Sequence, residues 1–236
     1  MSHWDMKDKV VVVTGGTSGI GRGAAIAMAA AGARVVAGGR REEEGAALVA
    51  EIEAAGGQAR FVRTDVANEA DIARLAGIAT SSHGRLDFAF NNAGIELNGS
   101  IEAVTHSDFR RVSDTNVWGI AAAMKHEVRA MLRSGGAIVN TSSIAGHVGI
   151  ADFSLYNASK HAVEGLTKTV ALEFAGYGVR VNAVAPAFIA TPMVERFVGA
   201  ARDARQPETP PIFSLLALKR TVLAHPGTDS VRISQA

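Results

Sequence analysis

Three side chains within the stretch SIAGHVGIADFSLYNASK could act together on one polar group: Ser143, Tyr156 and Lys160. Tyr156 and Lys160 are four residues apart, which puts them on one face if the chain is helical from Ser154 onward. Ser143 stands at the end of the apolar run Ala137 to Val139, which reads as a buried strand. A strand end and a helix face can therefore bring a hydroxyl, a phenol and an ammonium to one carbonyl. A free phenol, with a pKa of about 10, is a poor acid or base at neutral pH. A neighbouring ammonium favours the phenolate and is expected to lower that pKa. The serine hydroxyl can donate to a carbonyl oxygen as charge develops on it. An isolated Tyr-x-x-x-Lys is more often an ordinary half-exposed helix pair, so the rest of the chain has to decide.

The elements that would position these groups alternate along the chain. Val10 to Val13 is a β-branched run that reads as a buried parallel strand. It is followed by the turn Thr14-Gly15-Gly16-Thr17-Ser18-Gly19-Ile20-Gly21 and a helix over Arg22 to Ala31. Strand, glycine-rich turn and helix start form a phosphate cradle, because the backbone can approach the anion and the helix N-terminus offers free N–H groups. A second strand at Arg34 to Ala37 ends in Gly38-Gly39-Arg40-Arg41. In a dinucleotide fold a carboxylate here would hold the adenosine ribose. Gly39 leaves room for a 2′-phosphate instead, and Arg40 could bind it, so NADP is expected over NAD. The other reading makes Arg40 and Arg41 solvated charges at the start of the helix Glu42 to Ala55, screened by Glu42, Glu43 and Glu44.

A third strand, Ala59 to Val62, leads to Asp65-Val66. Asp65 could accept from the adenine amine or cap a helix over Asn68 to Ile78. Leu86 to Phe90 is the fourth strand and runs into Asn91-Asn92-Ala93-Gly94. A helix at about Val117 to Leu132, the strand before Ser143, a helix from Ser154 to about Ala175 and a sixth strand at Val179 to Val184 complete the pattern. Strand and helix alternation at this spacing implies right-handed crossovers and an α/β doubly wound parallel sheet, with ligands at the carboxyl ends of the strands.

Composition narrows the function classes. The chain has 236 residues, 47% of them hydrophobic and 20% charged, which suits one folded domain. A net charge of +1 offers no electrostatic case for nucleic acid or an anionic membrane surface. With no cysteine there are no disulfides, thiolate metal sites or Cys nucleophiles, which fits a reducing, cytoplasmic setting. No apolar run approaches a membrane span, and the start MSHWDMKDK lacks the apolar core of a signal peptide. His83, His106, His126, His147 and His161 form no metal-ligand spacing, so no metal is expected.

From about Lys9 to Met193 the chain resembles the short-chain dehydrogenase/reductase family. The resemblance rests on several motifs in order: Thr14 to Gly21, Asn91-Asn92-Ala93-Gly94, Asn116 in DTNVWG, Ser143, Tyr156 and Lys160. It implies a Rossmann-type fold and an oxidoreductase that passes a hydride between NADP(H), or NAD(H), and a small carbonyl or secondary alcohol. Tyr156 would be general acid and base, Lys160 would lower its pKa and hold the nicotinamide ribose, and Ser143 would polarise the substrate carbonyl. Asn116 would hold a proton-relaying water through its backbone, although a plain helix-interior amide is the alternative. Cofactor contacts would come from Gly15, Thr17, Ser18, Gly19, Ile20 and Gly21, from Arg40, Asp65 and Val66, and from Asn92, Ala93 and Gly94. Tyr156, Lys160, Ile189 and Thr191 would complete them. Ala187 departs from the family's usual Pro-Gly after Pro186. Ile95, Leu97, Val148, Ile150 and Phe153 suggest an apolar substrate side. Family members usually form tetramers, so a homodimer or homotetramer is expected, using the helices at about Val117 to Leu132 and Tyr156 to Ala175.

The pattern breaks at about Gly199. Residues 1–198 read as the dinucleotide-binding and catalytic domain. Residues 199–236 read as a divergent tail, with Pro207, Pro210, Pro211 and Pro226 and no counterpart of the family's last strand. Either the tail is natural or the reading frame shifts there. The damaged end keeps a second class open, a weakly active or inactive dinucleotide-binding protein acting as sensor or partner subunit.

Overall fold

The computed structural model describes residues 5–193 and Glu195. The tail expected from Gly199, the boundary at residue 198 and the missing last strand lie outside the described residues.

Six parallel strands form one sheet in the order β3-β2-β1-β4-β5-β6. They are β1 (Val10–Thr14), β2 (Arg34–Gly39), β3 (Gln58–Arg63), β4 (Phe88–Asn91), β5 (Gly136–Thr141) and β6 (Val179–Val184). The helices between them are α1 (Gly19–Ala30), α2 (Glu42–Ala54), α3 (Glu69–His83), α4 (His106–Ser113), α5 (Gly119–Met131) and α6 (Ser154–Phe174). The order reverses between β1 and β4, and a doubly wound sheet opens its ligand crevice at such a point. β6 is an edge strand among the described residues.

β1 shows why the sheet is covered on both sides. All five of its residues are buried, and alternate side chains point to opposite faces. Val11 and Val13 pack with Ala25, Met28, Leu48 and Ile52 of α1 and α2. Val10 and Val12 pack with Leu75, Met124, Ile138 and Val163 on the face that α3, α5 and α6 cover.

Several boundaries differ from the sequence reading, among them the start of β4 at Phe88 and the end of β2 at Gly39, and three of the helix boundaries have a clear local reason. α1 starts at Gly19 because Ser18, in extended conformation, is its N-cap. α3 runs past Ile78 to His83, and the stop signal is Gly84 at φ 72°. The helix expected from Val117 is preceded by a wide π turn, Asp114–Trp118, which continues α4 into α5.

Candidate active site

One open cavity of about 610 Å³ runs along the carboxyl ends of the strands, and every sequence-predicted cofactor position except Gly21 lines it. Of the positions expected on the substrate side Ile95, Ile150 and Phe153 line it, whereas Leu97, Val148 and the catalytic candidate Asn116 do not. Gly21 supports the wall from behind. A Cβ there would collide with the Gly15 carbonyl and come within 2.5 Å of Asn92 Nδ2. Gly15 (φ +67°) and Gly19 (φ +54°) hold the left-handed backbone that side-chain residues disfavour. Ser18 makes no side-chain cap and the first turn of α1 carries no acid, so the N–H groups of this helix end are left for an anion. Thr14 Oγ1 accepts the N–H of Asn92 (3.0 Å) and of Ala93 (3.2 Å), clamping the two turns across the crevice.

The end of β2 separates the two arginines. Arg41 donates to Thr17 Oγ1 at 3.1 Å and pairs with Glu44 at 3.5 Å, so it is tied to the turn, although it is exposed and lines the cavity as well. Arg40 is exposed and lines the cavity. A Cβ on Gly39 would lie 2.7 Å from the Thr17 methyl, so a ribose-binding carboxylate could not be installed without moving Thr17.

Asp65 is not the cap of α3; Asn68 is, accepting from the Ala70 N–H at 3.0 Å. Asp65 instead closes its own turn through Ala67 N–H (3.1 Å) and stays on the cavity wall beside Val66. Sequence reasoning missed Asp71, which accepts the Asp65 N–H at 2.9 Å. That bond, with Arg74 beside it, holds the Asp71 carboxyl below its ordinary range.

On the far side, Ser143, Tyr156 and Lys160 come together on the same cavity. Ser143 leaves β5 in extended conformation and its hydroxyl accepts the Ala145 N–H at 3.2 Å. The Phe153 ring meets Tyr156 edge-on at 6.3 Å. Lys160 is buried, donates from Nζ to the Thr141 carbonyl at 2.8 Å, and lies 5.6 Å from the Tyr156 ring centroid. Burial brings the Lys160 ammonium down to about 8.

The expected depression of the phenol by Lys160 is not found in this arrangement. Burial raises Tyr156 above its ordinary value, a hydrogen bond with Ser143 pulls it back, and the Glu96 carboxylate pushes it up again. The cause is geometric. The ammonium sits under the ring and is spent on the Thr141 carbonyl, while desolvation acts on the phenol directly. Glu96 is a further site residue that sequence reasoning passed over; its place two residues after Gly94 was the available signal.

Asn116 lies wholly buried in the π turn. Its Oδ1 accepts the Ile95 N–H (2.8 Å), and its Nδ2 donates to the Ile95 carbonyl (2.8 Å) and to Ser159 Oγ (3.0 Å). The amide therefore fastens the loop after Gly94 to α6, and a Cβ on Gly94 would sit 3.3 Å from Asn116 Oδ1 and 3.6 Å from Lys160 Nζ. Such π bulges concentrate at functional sites. Ile189 and Thr191 line the cavity on the segment after β6, where the Thr191 methyl stands 3.3 Å from a Cβ built on Gly19. Ala187 lines it as well.

With this geometry in hand, comparison with known proteins decides the family. The short chain dehydrogenase model matches residues 9–200. The chain belongs to the short-chain dehydrogenase/reductase family. The match ends where the sequence pattern breaks. The chain is similar to the 3beta-hydroxysteroid dehydrogenase of Mediterraneibacter gnavus, 46% identical over 80% of this chain and 69% of the relative. It is 44% identical to the cyclohexanol dehydrogenase of an Acinetobacter species, over 80% of this chain and 76% of the relative. A short chain dehydrogenase/reductase from Burkholderia phymatum, solved in complex with NAD, superposes with a TM-score of 0.78 at 33% identity, over 88% of this chain and 75% of that one. As a member of this family the short-chain dehydrogenase is an oxidoreductase of CH–OH groups that uses a nicotinamide dinucleotide. The inactive-binder alternative is not favoured. Among the described residues no helix is long and apolar enough to cross a membrane.

Proposed function

We propose that the protein is an NADP(H)-dependent oxidoreductase that interconverts a secondary alcohol and a ketone borne on a ring. The observation that carries this is the convergence of Ser143, Tyr156 and Lys160 on the wall of the cavity whose other wall is the glycine turn. The dinucleotide fits that cavity on two grounds: the glycine cradle that a Cβ would fill, and the uncapped start of α1. Gly15 to Gly21 would hold the pyrophosphate, Asp65 and Val66 the adenine, and Asn92 to Gly94, Ile189 and Thr191 the nicotinamide end. Bound NADP(H) would supply or accept the hydride at the substrate carbon.

The chain's own residues handle the proton. The raised phenol of Tyr156 is protonated at neutral pH, as a general acid must be. In reduction it gives that proton to the carbonyl oxygen, while the Ser143 O–H donates to the same oxygen as charge builds. Lys160, still largely protonated at neutral pH, keeps a positive charge 5.6 Å from the Tyr156 ring centroid and would bind the nicotinamide ribose. Oxidation runs the same transfers backwards. Asn116 acts by holding the Ile95 loop against α6 and, through its backbone, a water on the route from Lys160.

The choice of NADP rests on Gly39 and Arg40, since the space beside Thr17 excludes a carboxylate and leaves a guanidinium at the cavity rim. The ring preference rests on the similar relatives, whose names specify a ring hydroxyl, and on the apolar lining by Ile95, Ile144, Ile150 and Phe153. A homodimer through α5 and α6 is proposed from the groove between them, lined by Met124, Val128, Leu132, Leu166, Val170 and Phe174. Nicotinamide absorbance with cyclohexanol, a 3β-hydroxysteroid and an open-chain alcohol, each with NADP and NAD, tests the reading. Turnover should favour the ring alcohols and NADP. Equal rates with NAD would remove the cofactor choice, and no turnover on any alcohol would remove the proposal.

A further inference from the structure

Away from the cavity, one carboxyl is sealed in the core without a counter-ion among the described residues. Glu127 is 2% exposed and shares a face of α5 with the buried Met124, Val128 and Met131. Its Oε2 accepts an N–H from Asn91 Nδ2 at 2.9 Å, and the same nitrogen donates to Asn140 Oδ1 at 3.0 Å. Asn140 Nδ2 then donates to Thr167 Oγ1 at 2.9 Å, and Thr167 donates to the Val163 carbonyl at 2.7 Å. One chain of buried hydrogen bonds thus ties α5, β4, β5 and α6.

Within this hydrogen-bonded link one acceptor has no donor among the described residues, the buried Asn91 Oδ1. Such an atom is costly in a core. An ionised Glu127 has no proton to offer it, whereas a protonated Glu127 does. We propose that Glu127 is kept as a neutral carboxylic acid, its O–H donated to Asn91 Oδ1 and its other oxygen accepting from Asn91 Nδ2, and that this paired link positions the active site. Asn91 is the residue from which Asn92 to Gly94 leave, Asn140 precedes the Thr141 carbonyl that holds Lys160, and Thr167 and Val163 lie on the helix of Tyr156 and Lys160. The catalytic part of this role rests on the functions proposed above, so the tests do not use turnover.

The electrostatics agree with the geometry. Burial pushes the carboxyl up to about 7 and the Asn91 amide pulls it down; no charged group contributes. Neighbouring charges are engaged elsewhere: Glu69 of α3 with Lys125 and His126, Asp71 with Arg74, Lys160 with the Thr141 carbonyl, and Glu164 with His147. Arg129 of the same helix and His161, Lys168 and Glu173 of α6 are exposed, His83 closes the far end of α3, and β4 and β5 bring no charge. The folded chain therefore keeps a proton that the unfolded chain surrenders between about pH 4.5 and 7, and the stability Glu127 contributes at acid pH is lost across that window.

Glu127→Gln preserves both bonds to Asn91 and abolishes the titration. Its Tm should match the wild type near pH 4.5 and exceed it by roughly 5–10 °C at pH 7.5. An offset that does not change with pH would overturn the neutral acid. Should the variant not fold, infrared spectra of the wild type in heavy water decide: a protonated-carboxyl band present at pH 6 and gone by pH 8.5 supports the pair, and its absence at pH 6 refutes it. For positioning, fluorescence titrations with NADPH and NADH should show wild-type affinity falling about threefold more than the variant's between those two pH values. Parallel affinity profiles would leave Glu127 no part in shaping the site.

Discussion

On the β1–β2–β3 side of the crevice, the wall is mostly backbone. Gly15, Gly19 and Gly39 are there because a side chain would strain the turn or strike a neighbour, and the strands behind them are filled with valine and alanine. On the β4–β5–β6 side the wall is made of long side chains, and the core behind it is polar: Asn91, Asn116, Glu127, Asn140 and Lys160 are all buried. A backbone cradle holds its shape through φ and ψ. A wall of side chains depends for its shape on the buried hydrogen bonds behind it. The first region should therefore fail by sterics, and the second by charge and hydrogen bonding.

Tyr156→Phe should break the second region's chemistry and spare the first region's binding. Turnover should fall by about 10²–10⁴-fold, read by nicotinamide absorbance, with NADPH affinity nearly unchanged. A collapse of both would mean that the two sides are not separable. Gly21→Ala is the converse. Its Cβ meets the Gly15 carbonyl, so we expect a stability loss of about 1–3 kcal/mol in urea titrations, together with weaker binding of either cofactor.

Lys160→Met sharpens the electrostatic half of the comparison. Burial lowers the Lys160 pKa from 10.5 to about 8. The unfolded chain therefore binds more protons between those values, and wild-type stability should rise with pH across that window. Below it the buried cation costs on the order of 3 kcal/mol. The inactive variant should accordingly be more stable than wild type at pH 7, and the gap should shrink toward pH 10.5. A constant gap in urea titrations at the two ends would contradict a buried charge. The smallest effect is expected at the rim, where Arg40→Ala should weaken NADPH about 5–10-fold and leave NADH alone in paired fluorescence titrations.

The parallel sheet, the glycine turn and the Ser143-Tyr156-Lys160 set were legible because each is a local pattern. A β-branched run, a left-handed turn and a four-residue spacing are decided by the residues themselves and their near neighbours. The same locality explains what the sequence left open. Asp65 and Asn68 are both good caps, and only the turn through Ala67 and the Asp71 carboxylate choose between them. Arg40 and Arg41 look alike in a row and both line the cavity, yet Arg41 is the one that donates to Thr17, far off in sequence.

By itself, then, the order of residues determined the class of fold and which side chains could do the chemistry. The direction in which those side chains are biased was decided only on folding. Burial is a property of the packed chain, so whether Lys160 lowers the phenol or desolvation raises it depends on where the ammonium comes to rest. The link from Glu127 through Asn91 and Asn140 to Thr167 joins two helices and two strands, and no spacing along the chain announces it.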